Sequence, residues 1–520
     1  MPKDTPTITS NAPRVTPEPI YCECGGDYTL PDYLPDIRRV LTLSTRIAPT
    51  GEFLGGEKAE FAGSCLFTLL YLDPAGKVAS FSAPYNYECA VPLGMSEANH
   101  IQPYAMFRME NATYRLTGPR RVNFRGIVSA MVKLWSAPQP ATLPLESREG
   151  YEILESTQPC RVATPFSCAP SRMHTALSLE GTGTIRLLSL EGNVMIGECT
   201  RKAEEMVCRG DIRIGAVCVG EDGIPYSLHT KIPFEETLPK EDASEVYTTC
   251  HGYLTTLEGD VSENENGASL LLDMVLELRG CHFENKPMTV VRDVFSLHHP
   301  CHVTYKSMDR WESMGVFGGG FTLDGSCDRT QMESGDAQAV AATYLSYDNL
   351  QCTYEGSKIR ATATAHLSML VSTPPTDDSG VCGVNVLTFE HPLQMELNTP
   401  QPLPADCVLE GALFLAPPHG RLDPSKLFFD CEAYLSVEVH RMRCMDVVDQ
   451  LTPDTDHPFP PRRDMLIATY LRDGDSLWDI AKRYHTSPAQ IAKCNHLPSE
   501  VLEQVSEGYG LDGYVKLLID

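Results

Sequence analysis

Short strand-like runs separated by turn residues fill most of this chain, from about residue 20 to about residue 445. Examples are the segments Leu66–Leu72, Leu270–Leu278 and Tyr434–Val439, and Gly, Pro, Asp and Asn residues are frequent between such runs. Because apolar runs of strand length bounded by turn residues are typical of sheets, the pattern favours sandwiches or barrels over helical bundles. We therefore predict a multidomain, mainly β chain with sandwich-like layers.

One strand–turn–strand pattern occurs twice in the sequence without a gap. Gly63, Gly76, the pair Tyr87-Glu88 and Pro92 recur 147 residues later. Their counterparts are Gly210, Gly223, Phe234-Glu235 and Pro239. The second glycine of each copy falls where a hairpin turn needs a residue that tolerates a positive φ. The repeat predicts two copies of one β module.

A third and weaker copy runs from Ala361 to Phe389-Glu390, with a longer turn over residues 373–379. A strand-rich stretch follows each copy, and Pro-rich segments follow the first and the third copies. The Pro- and Thr-rich N-terminus has no periodic apolar pattern, which is typical of disorder. We predict a disordered lead-in at 1–25, β modules at 26–140, 176–305 and 312–445, linkers at 141–175 and 446–463, and a C-terminal module at 464–520.

Three motifs of these modules resemble the SPOCS domain of endospore-forming bacteria. The segment Leu34–Leu41 looks like the opening motif of that domain, and the hairpins that end in Tyr87-Glu88 or Phe234-Glu235 resemble its middle. Arg292-Asp293-Val294-Phe295-Ser296 resembles an Arg-Asp-aromatic-Ser segment near its end. The resemblance implies three tandem SPOCS modules, the third of which lacks a clear opening motif.

The C-terminal module has helical periodicity between two strand-like runs. Leu466–Leu471 and Val515–Ile519 are the predicted strands. Asp475 or Ser476 is placed to cap a first helix, whose apolar residues Leu477, Ile480, Ala481 and Tyr484 share one face. Ser487, Pro488 and Gln490 predict a capping box with proline in the first turn of a second helix, which Asn495 ends. The module is therefore predicted to have a β-α-α-β order.

The same segment resembles a LysM domain in its residues Tyr470, Gly474-Asp475-Ser476-Leu477-Trp478, Ile480-Ala481, Tyr484, Ser487, Ile491, Asn495 and Leu497. The resemblance implies a module that commonly binds N-acetylglucosamine-containing glycans in a shallow groove between two loops. The residues that it assigns to this groove are Asp473, Gly474, Asp475, Ser476, Leu477, Asn495, His496, Leu497 and Pro498.

The sequence departs from the LysM pattern after Asn495. The segment Glu500–Asp512 is longer than usual and acidic, and the closing motif is reduced. Because this loop helps to shape the groove, the departure leaves open whether the module binds glycan or protein, and a basic patch is one partner that the acidic loop could meet. Trp478 is expected to fill the small core, with a stacking platform for sugar as the alternative.

The charge balance of the chain excludes one large class of partners. Lys and Arg total 42 and Asp and Glu total 69, so the formal net charge is −27. Nucleic-acid binding needs clustered Lys and Arg, and we therefore predict no nucleic-acid partner. No apolar run has the length of a transmembrane helix, and the N-terminal residues lack the apolar stretch of a secretion signal. We expect no transmembrane segment and a cytoplasmic location.

Nineteen cysteines are spaced irregularly and mostly lie in apolar runs, which is typical of reduced, buried thiols. Two short clusters contain potential metal ligands: Cys22-Glu23-Cys24 and His298-His299-Pro300-Cys301-His302. Alternate residues of a strand face opposite sides, so the second cluster cannot converge on one ion, and we predict no metal site. Motifs for zinc peptidases, serine hydrolases, P-loops and dinucleotide binding are absent from the sequence, and we expect no catalytic residues, no cofactor and no enzymatic activity.

The order of SPOCS modules followed by one LysM domain resembles the SipL-type spore-coat morphogenetic proteins. The resemblance implies a non-catalytic scaffold in the mother cell, located at the forespore surface. Its LysM domain would contact the coat morphogenetic ATPase, and its β modules would contact other coat proteins. Several weak contacts add up when the partners polymerise on a surface. The alternative is a peptidoglycan- or cortex-binding protein that holds glycan with its LysM domain.

Overall fold

The structure is a computed structural model in which strands predominate. It describes residues 14–15, 19–55, 58–92, 101–136, 151–179, 184–202, 205–221, 223–239, 246–264, 267–329, 337–374, 383–460, 466–471, 475–498, 502 and 516–519. No helix in these ranges has the length and apolar character needed to cross a membrane. The mainly β fold with a small helical module at the C-terminus confirms the predicted fold class.

The first β module consists of two antiparallel sheets. Its strands are β1 (Arg14–Val15), β2 (Ile20–Thr29), β3 (Arg39–Gly55), β4 (Lys58–Leu72), β5 (Val78–Pro92), β6 (Ile101–Gly118) and β7 (Arg121–Ser136). Strands β3, β4 and β5 form a meander, and β7 pairs with β1, β2 and β6 in the other sheet. Cys24, Phe67 and Phe124 belong to one buried cluster that joins the two sheets into a sandwich.

The second β module repeats this arrangement. Its strands are β8 (Ile153–Ser167), β9 (Ser171–Leu179), β10 (Arg186–Lys202), β11 (Glu205–Val219), β12 (Pro225–Leu238), β13 (Val246–Asn264) and β14 (Gly267–Ser296). Strands β10, β11 and β12 form the meander, and the long β14 pairs with β13, β8 and β9. Cys208 and Leu272 lie in the cluster that fills this sandwich.

The third β module and the C-terminal module complete the chain. The third β module contains β15 (Cys301–Asp328), β16 (Ala339–Glu355), β17 (Lys358–Thr373), β18 (Gly383–Asn398), β19 (Val408–Leu415), β20 (His419–Leu422) and β21 (Lys426–Pro453). Strands β16, β17 and β18 form its meander, and β21 pairs with β15, β19 and β20. The C-terminal module contains β22 (Ile467–Tyr470), α1 (Leu477–Arg483), α2 (Pro488–Cys494) and β23 (Lys516–Ile519), with β22 and β23 antiparallel.

The glycines and aromatic residues of the repeat lie in equivalent cross-strand pairs. Gly63 is opposite Tyr87, and Gly210 is opposite Phe234. In each pair the aromatic ring occupies the space that a Cβ on the glycine would need. The turn glycines of the two copies have φ of 80° and 75°, as the repeat predicted.

Several predicted boundaries need correction because long strands recruit neighbours that the local pattern did not reveal. Residues 20–25, predicted to be disordered, belong to β2 and pair with β7. Residues 153–167 and 171–175, within the linker predicted at 141–175, belong to β8 and β9 and pair with β14. Strand β15 begins at Cys301, ahead of the predicted start at 312. Pairing with an existing strand satisfies backbone groups in a segment whose own sequence is only weakly strand-like.

Equivalent positions of the three meanders meet in one buried cluster, the apolar junction. Leu70, Val217 and Leu370 occupy corresponding places on β4, β11 and β17, and all three are buried there. Leu41, Leu188 and Ala341 are a second such set, from β3, β10 and β16. The repeated sequence thus brings three similar surfaces together in one cluster, and their burial joins the modules.

A carboxyl group lies beside the apolar junction. Glu191 of β10 accepts a hydrogen bond from Ser44 of β3, and both positions correspond to Tyr344 of β16. The Tyr344 hydroxyl lies 3.1 Å from Ser189 Oγ. Burial raises the pKa of Glu191 to about 7, although the Ser44 hydrogen bond opposes this shift. The ionised form of Glu191 is therefore costly in the folded chain.

Replacing Glu191 by glutamine is expected to stabilise the protein at pH 8 and to have little effect at pH 4. The folded-state pKa is above the ordinary value, so wild-type stability falls as the pH rises from about 4.5 to about 7. With a discount for the solvent contact of the carboxyl group, the gain at pH 8 is about 1 to 2 kcal/mol. Denaturant midpoints at both pH values measure it, with the exposed Glu205→Gln as control. An equal gain in stability at pH 4 and pH 8 would contradict the raised pKa of Glu191.

A second contact between the modules is polar, and we call it the lysine junction. Lys133 of β7 lies 2.5 Å from Glu410 Oε2 and 3.1 Å from Glu438 Oε2, on β19 and β21. The Lys133 side chain is 3 % exposed. Burial alone would lower its pKa, but the two carboxylates outweigh burial and hold the pKa above its ordinary value.

A row of three aromatic rings near the lysine junction also connects the three modules. The Tyr104 and His251 centroids are 6.3 Å apart, and the His251 and Phe414 centroids are 5.6 Å apart.

Candidate functional site

Side-chain caps define the first helix of the C-terminal module. Ser476 is the N-cap of α1: its Oγ accepts from the Asp479 backbone N–H at 3.1 Å, and the Asp479 carboxylate accepts from the Ser476 backbone N–H at 3.3 Å. This capping box fixes where α1 begins. Asp475, the other predicted cap, instead forms an ion pair with Arg483 at 3.0 Å. Both residues thus support the loop that precedes α1.

The end of α2 is tied to the closing strand by one side chain. Ser487 caps α2 and Pro488 occupies its first turn, as predicted. Asn495 Nδ2 donates to the Leu518 carbonyl at 2.6 Å, and Asn495 Oδ1 accepts from the Leu518 backbone N–H at 2.7 Å. Asn495 therefore holds β23 against α2, a structural role for a residue that sequence analysis assigned to the groove.

Trp478 lies against the second β module. Its side chain is buried, 7 % exposed, and its ring meets Phe295 edge to face with centroids 5.0 Å apart. Phe295 belongs to the same buried cluster as Leu477 and Ile480 of α1. The alternative of Trp478 as a stacking platform for sugar is wrong, because a covered ring offers no free face to a ligand. The core that it fills includes a residue from outside the C-terminal module.

Asp293 is the polar centre of this contact, which we call the docking contact. Lys482 Nζ lies 2.7 Å from both carboxylate oxygens of Asp293, and Trp478 Nε1 donates to Oδ2 at 2.9 Å. Tyr305 Oη and the Val294 backbone N–H donate to Oδ1 at 2.9 Å and 2.8 Å. Burial alone would raise the pKa of Asp293, but these donors hold it below its ordinary value. The carboxylate thus joins α1 to the end of β14.

The predicted linker also reaches the C-terminal module. The ring of Phe459 stacks on His485, with centroids 3.6 Å apart. The Phe459 backbone N–H donates to the His298 carbonyl at 2.8 Å. The segment 454–460 therefore lies between the second β module and the turn after α1.

The structure separates the predicted groove residues into three groups. Asp473 and Gly474 lie outside the described residues, as do 500, 501 and 503–512 of the acidic loop. Ser476 and Leu477 are buried. His496 and Pro498 are exposed, and Leu497 is half-buried against the core that Leu471 also contacts. The exposed part of the described groove is thus the loop 496–498, in which His496 has a φ of 53°.

The two potential metal clusters of the sequence do not converge on an ion. His298 Nε2 lies 3.0 Å from Glu152 Oε2, and the His299 ring meets Tyr151 edge to face. The thiol of Cys301 donates to the His299 carbonyl. In the other cluster, Cys22 and Cys24 face the core of the first module, where Cys89 and Cys65 are their neighbours.

The sequence pattern does not reveal Asp293 and Phe295 as contacts of the C-terminal module. It singled out Arg292–Ser296 only as a motif of a β module. Lys482 and Trp478 lie four residues apart on one face of α1, and an aromatic residue and a lysine on one helix face can fit a carboxylate. That pattern was the available signal, but it does not say which of 69 acidic residues is the partner.

Comparison with known proteins supports a family assignment for the C-terminal module and for no other part of the chain. No curated protein and no solved structure matches the chain. A family model described as the LysM domain matches residues 471–503, which include α1, α2 and the loop 496–498. The C-terminal module is similar to LysM domains in sequence and has their β-α-α-β order.

Proposed function

We propose that this protein is a non-catalytic scaffold of endospore coat assembly, which recruits coat morphogenetic proteins to the forespore surface. The docking contact is the observation that carries the proposal. It places the LysM module on the second β module through α1 and leaves the loop 496–498 exposed for a partner. In this arrangement the β modules hold the loop 496–498 in a fixed position, as a recognition loop requires.

The contacts between the β modules support a scaffold role. The apolar junction and the lysine junction hold three modules together, so partners bound on different modules keep set distances from one another. The order of SPOCS-like and LysM-like segments supports the same proposal through its resemblance to SipL-type coat proteins. The proposed location is the mother-cell cytoplasm at the forespore surface, and the proposed partners are the coat morphogenetic ATPase and other coat proteins.

Peptidoglycan or cortex binding is the second candidate. The match to the LysM family favours it, since glycan binding is the role that this resemblance implies. The buried position of Trp478 removes one aromatic surface from such a groove. The glycan would then have to be held by the loop 496–498 together with the groove residues that the LysM resemblance assigns before α1.

A binding assay with the full chain separates the two candidates. The chain is sedimented with polymerised morphogenetic ATPase and, separately, with purified peptidoglycan. Under the scaffold proposal, it sediments with the ATPase and not with peptidoglycan. The variant His496→Asn removes the imidazole and keeps a residue that tolerates positive φ, so we expect at least a tenfold loss of ATPase binding, comparable to a modest interface hot spot. The exposed Lys358→Ala is the control, and retention on peptidoglycan alone would contradict the scaffold.

A further inference from the structure

Three cysteines from three strands meet inside the second β module. Cys199 of β10 is directly opposite Cys208 of β11, and Cys250 reaches them from β13 in the facing sheet. The Sγ atoms of Cys208 and Cys250 are 4.0 Å apart, and all three Sγ atoms lie within 4.8 Å of one another. Cys208 and Cys250 are buried, whereas Cys199 is half-buried. We call this set the thiol triad.

The thiol triad borders a cleft between two modules. Cys199 and Cys250 line a cleft of about 260 Å³, together with Thr248 of the second module and Tyr434 and Ser436 of the third. The Tyr434 hydroxyl donates to the Gly197 carbonyl at 3.2 Å, next to Cys199. The cleft therefore borders Cys199 and Cys250 and places the hydroxyl groups of its lining residues beside them.

The spacing of the sulfur atoms suits a thiophilic ion. Tetrahedral zinc with Zn–S distances of about 2.3 Å places its sulfur ligands about 3.8 Å apart. In the triad one separation is 4.0 Å and none exceeds 4.8 Å, so side-chain rotations can bring all three sulfurs into range. Thiolate ligands select soft or borderline metals over Mg²⁺ and Ca²⁺.

The three thiols of the triad are hydrogen-bonded to one another. Hydrogen bonds from Cys208 and Cys250 lower the pKa of Cys199. Hydrogen bonds with Cys199 and Cys208 raise the pKa of Cys250. A bound dication would take the place of the thiol protons in these hydrogen bonds.

A nearby histidine is held away from the triad. His282 Nε2 lies 2.6 Å from the Pro239 carbonyl oxygen, and Nδ1 lies 3.0 Å from Thr248 Oγ1. Both ring nitrogens have these partners, so we assign His282 to the surroundings of the site and not to its ligands.

We propose that Cys199, Cys208 and Cys250 bind Zn²⁺ through three thiolate sulfurs, with solvent from the cleft at the fourth position. A zinc ion here would overturn the sequence-based expectation that the chain holds no metal. Because residues of the third β module line the same cleft, the solvent ligand would lie beside both modules.

Metal titration of the full, reduced chain tests the proposal. Zn²⁺ is titrated against a colorimetric chelator, and Co²⁺ is used as a spectroscopic probe of tetrahedral thiolate ligation. We expect the Cys199→Ser variant to bind one equivalent fewer than wild type and to lose the corresponding cobalt bands. Cys218→Ser, which changes a fully buried thiol of β11 outside the triad, should bind as wild type does. Cys199 is the residue to change because its half-buried position makes the substitution least disruptive.

Thermal unfolding with and without Zn²⁺ distinguishes a loss of zinc binding from a folding defect in the variant. Added Zn²⁺ should raise the thermal midpoint of wild type and of Cys218→Ser, because an ion that binds only the folded chain stabilises it. It should leave the midpoint of Cys199→Ser unchanged. Equal zinc uptake and equal stabilisation in wild type and Cys199→Ser would overturn the proposal. So would recovery of a Cys199–Cys208 disulfide from protein prepared under reducing conditions.

Discussion

Replacing Lys133 by methionine is expected to lower the free energy of unfolding by about 3 to 5 kcal/mol. The substitution removes the positive charge that faces Glu410 and Glu438 at 2.5 Å and 3.1 Å. Two carboxylates would then lie in the interior without a cationic partner, and one would have to take up a proton. The loss is large because the Lys133 side chain is only 3 % exposed, so water cannot solvate the two carboxylates in place of the lysine.

Denaturant unfolding of wild type and Lys133→Met measures this loss. Lys358→Met is the matched control, because Lys358 forms an ion pair with Glu396 at 3.4 Å on an exposed surface. We expect the control to change stability by less than about 0.5 kcal/mol. The triple variant Lys133→Met, Glu410→Gln, Glu438→Gln should recover much of the loss, since it leaves no unpaired charge. A loss as small as that of the control would show that the lysine junction does not stabilise the fold.

Replacing Asp293 by alanine is expected to release the LysM module from the second β module. The change removes the acceptor of Lys482, Trp478 and Tyr305 and leaves the Trp478 N–H without its partner. We expect a loss of about 2 to 3 kcal/mol, smaller than for Lys133 because the Lys482 side chain is 40 % exposed. The pKa of Asp293 is lowered in the folded chain. The carboxylate therefore contributes fully to the free energy of unfolding above about pH 4, and this contribution is lost as the pH falls below that value.

Hydrogen exchange localises the effect of the Asp293 substitution. Amides of α1 and of residues 294–296 should lose protection in Asp293→Ala, whereas those of the first β module should not. Asp273→Ala is the control, since Asp273 lies on the same strand and accepts from Arg172 far from the C-terminal module. Trp478→Phe keeps the aromatic packing and removes one donor, so its effect should be about 1 kcal/mol. Unchanged protection of α1 in Asp293→Ala would contradict the docking contact.

Local features of the fold were predictable because they depend on neighbours in the chain. The caps Ser476 and Ser487 were predictable because each serine accepts a hydrogen bond from the backbone N–H three residues later. The turns at Gly76 and Gly223 were predictable because glycine tolerates a positive φ. The repeat predicted that two hairpins share one structure. It did not predict β8 or β9, because these strands depend on pairing with a distant strand, β14.

The LysM-like segment was recognisable from the sequence, but the structural roles of its residues were not predictable. A family pattern marks positions that matter, and it does not distinguish a ligand contact from a structural one. Asn495 and Ser476 proved to support the module, while His496 and Pro498 are exposed. The difference depends on which side chains the rest of the chain covers.

The sequence by itself determined the β class, the hairpin repeat and the helical module at the C-terminus. These properties follow from periodicity, turn residues and caps, which act over a few residues. Only the tertiary structure decided which distant groups meet: Lys133 with two glutamates, Asp293 with α1, and Cys199 with Cys208 and Cys250. The physical reason is that burial and charge pairing depend on surfaces brought together by folding, and one chain offers too many acids and thiols for the sequence to choose among them.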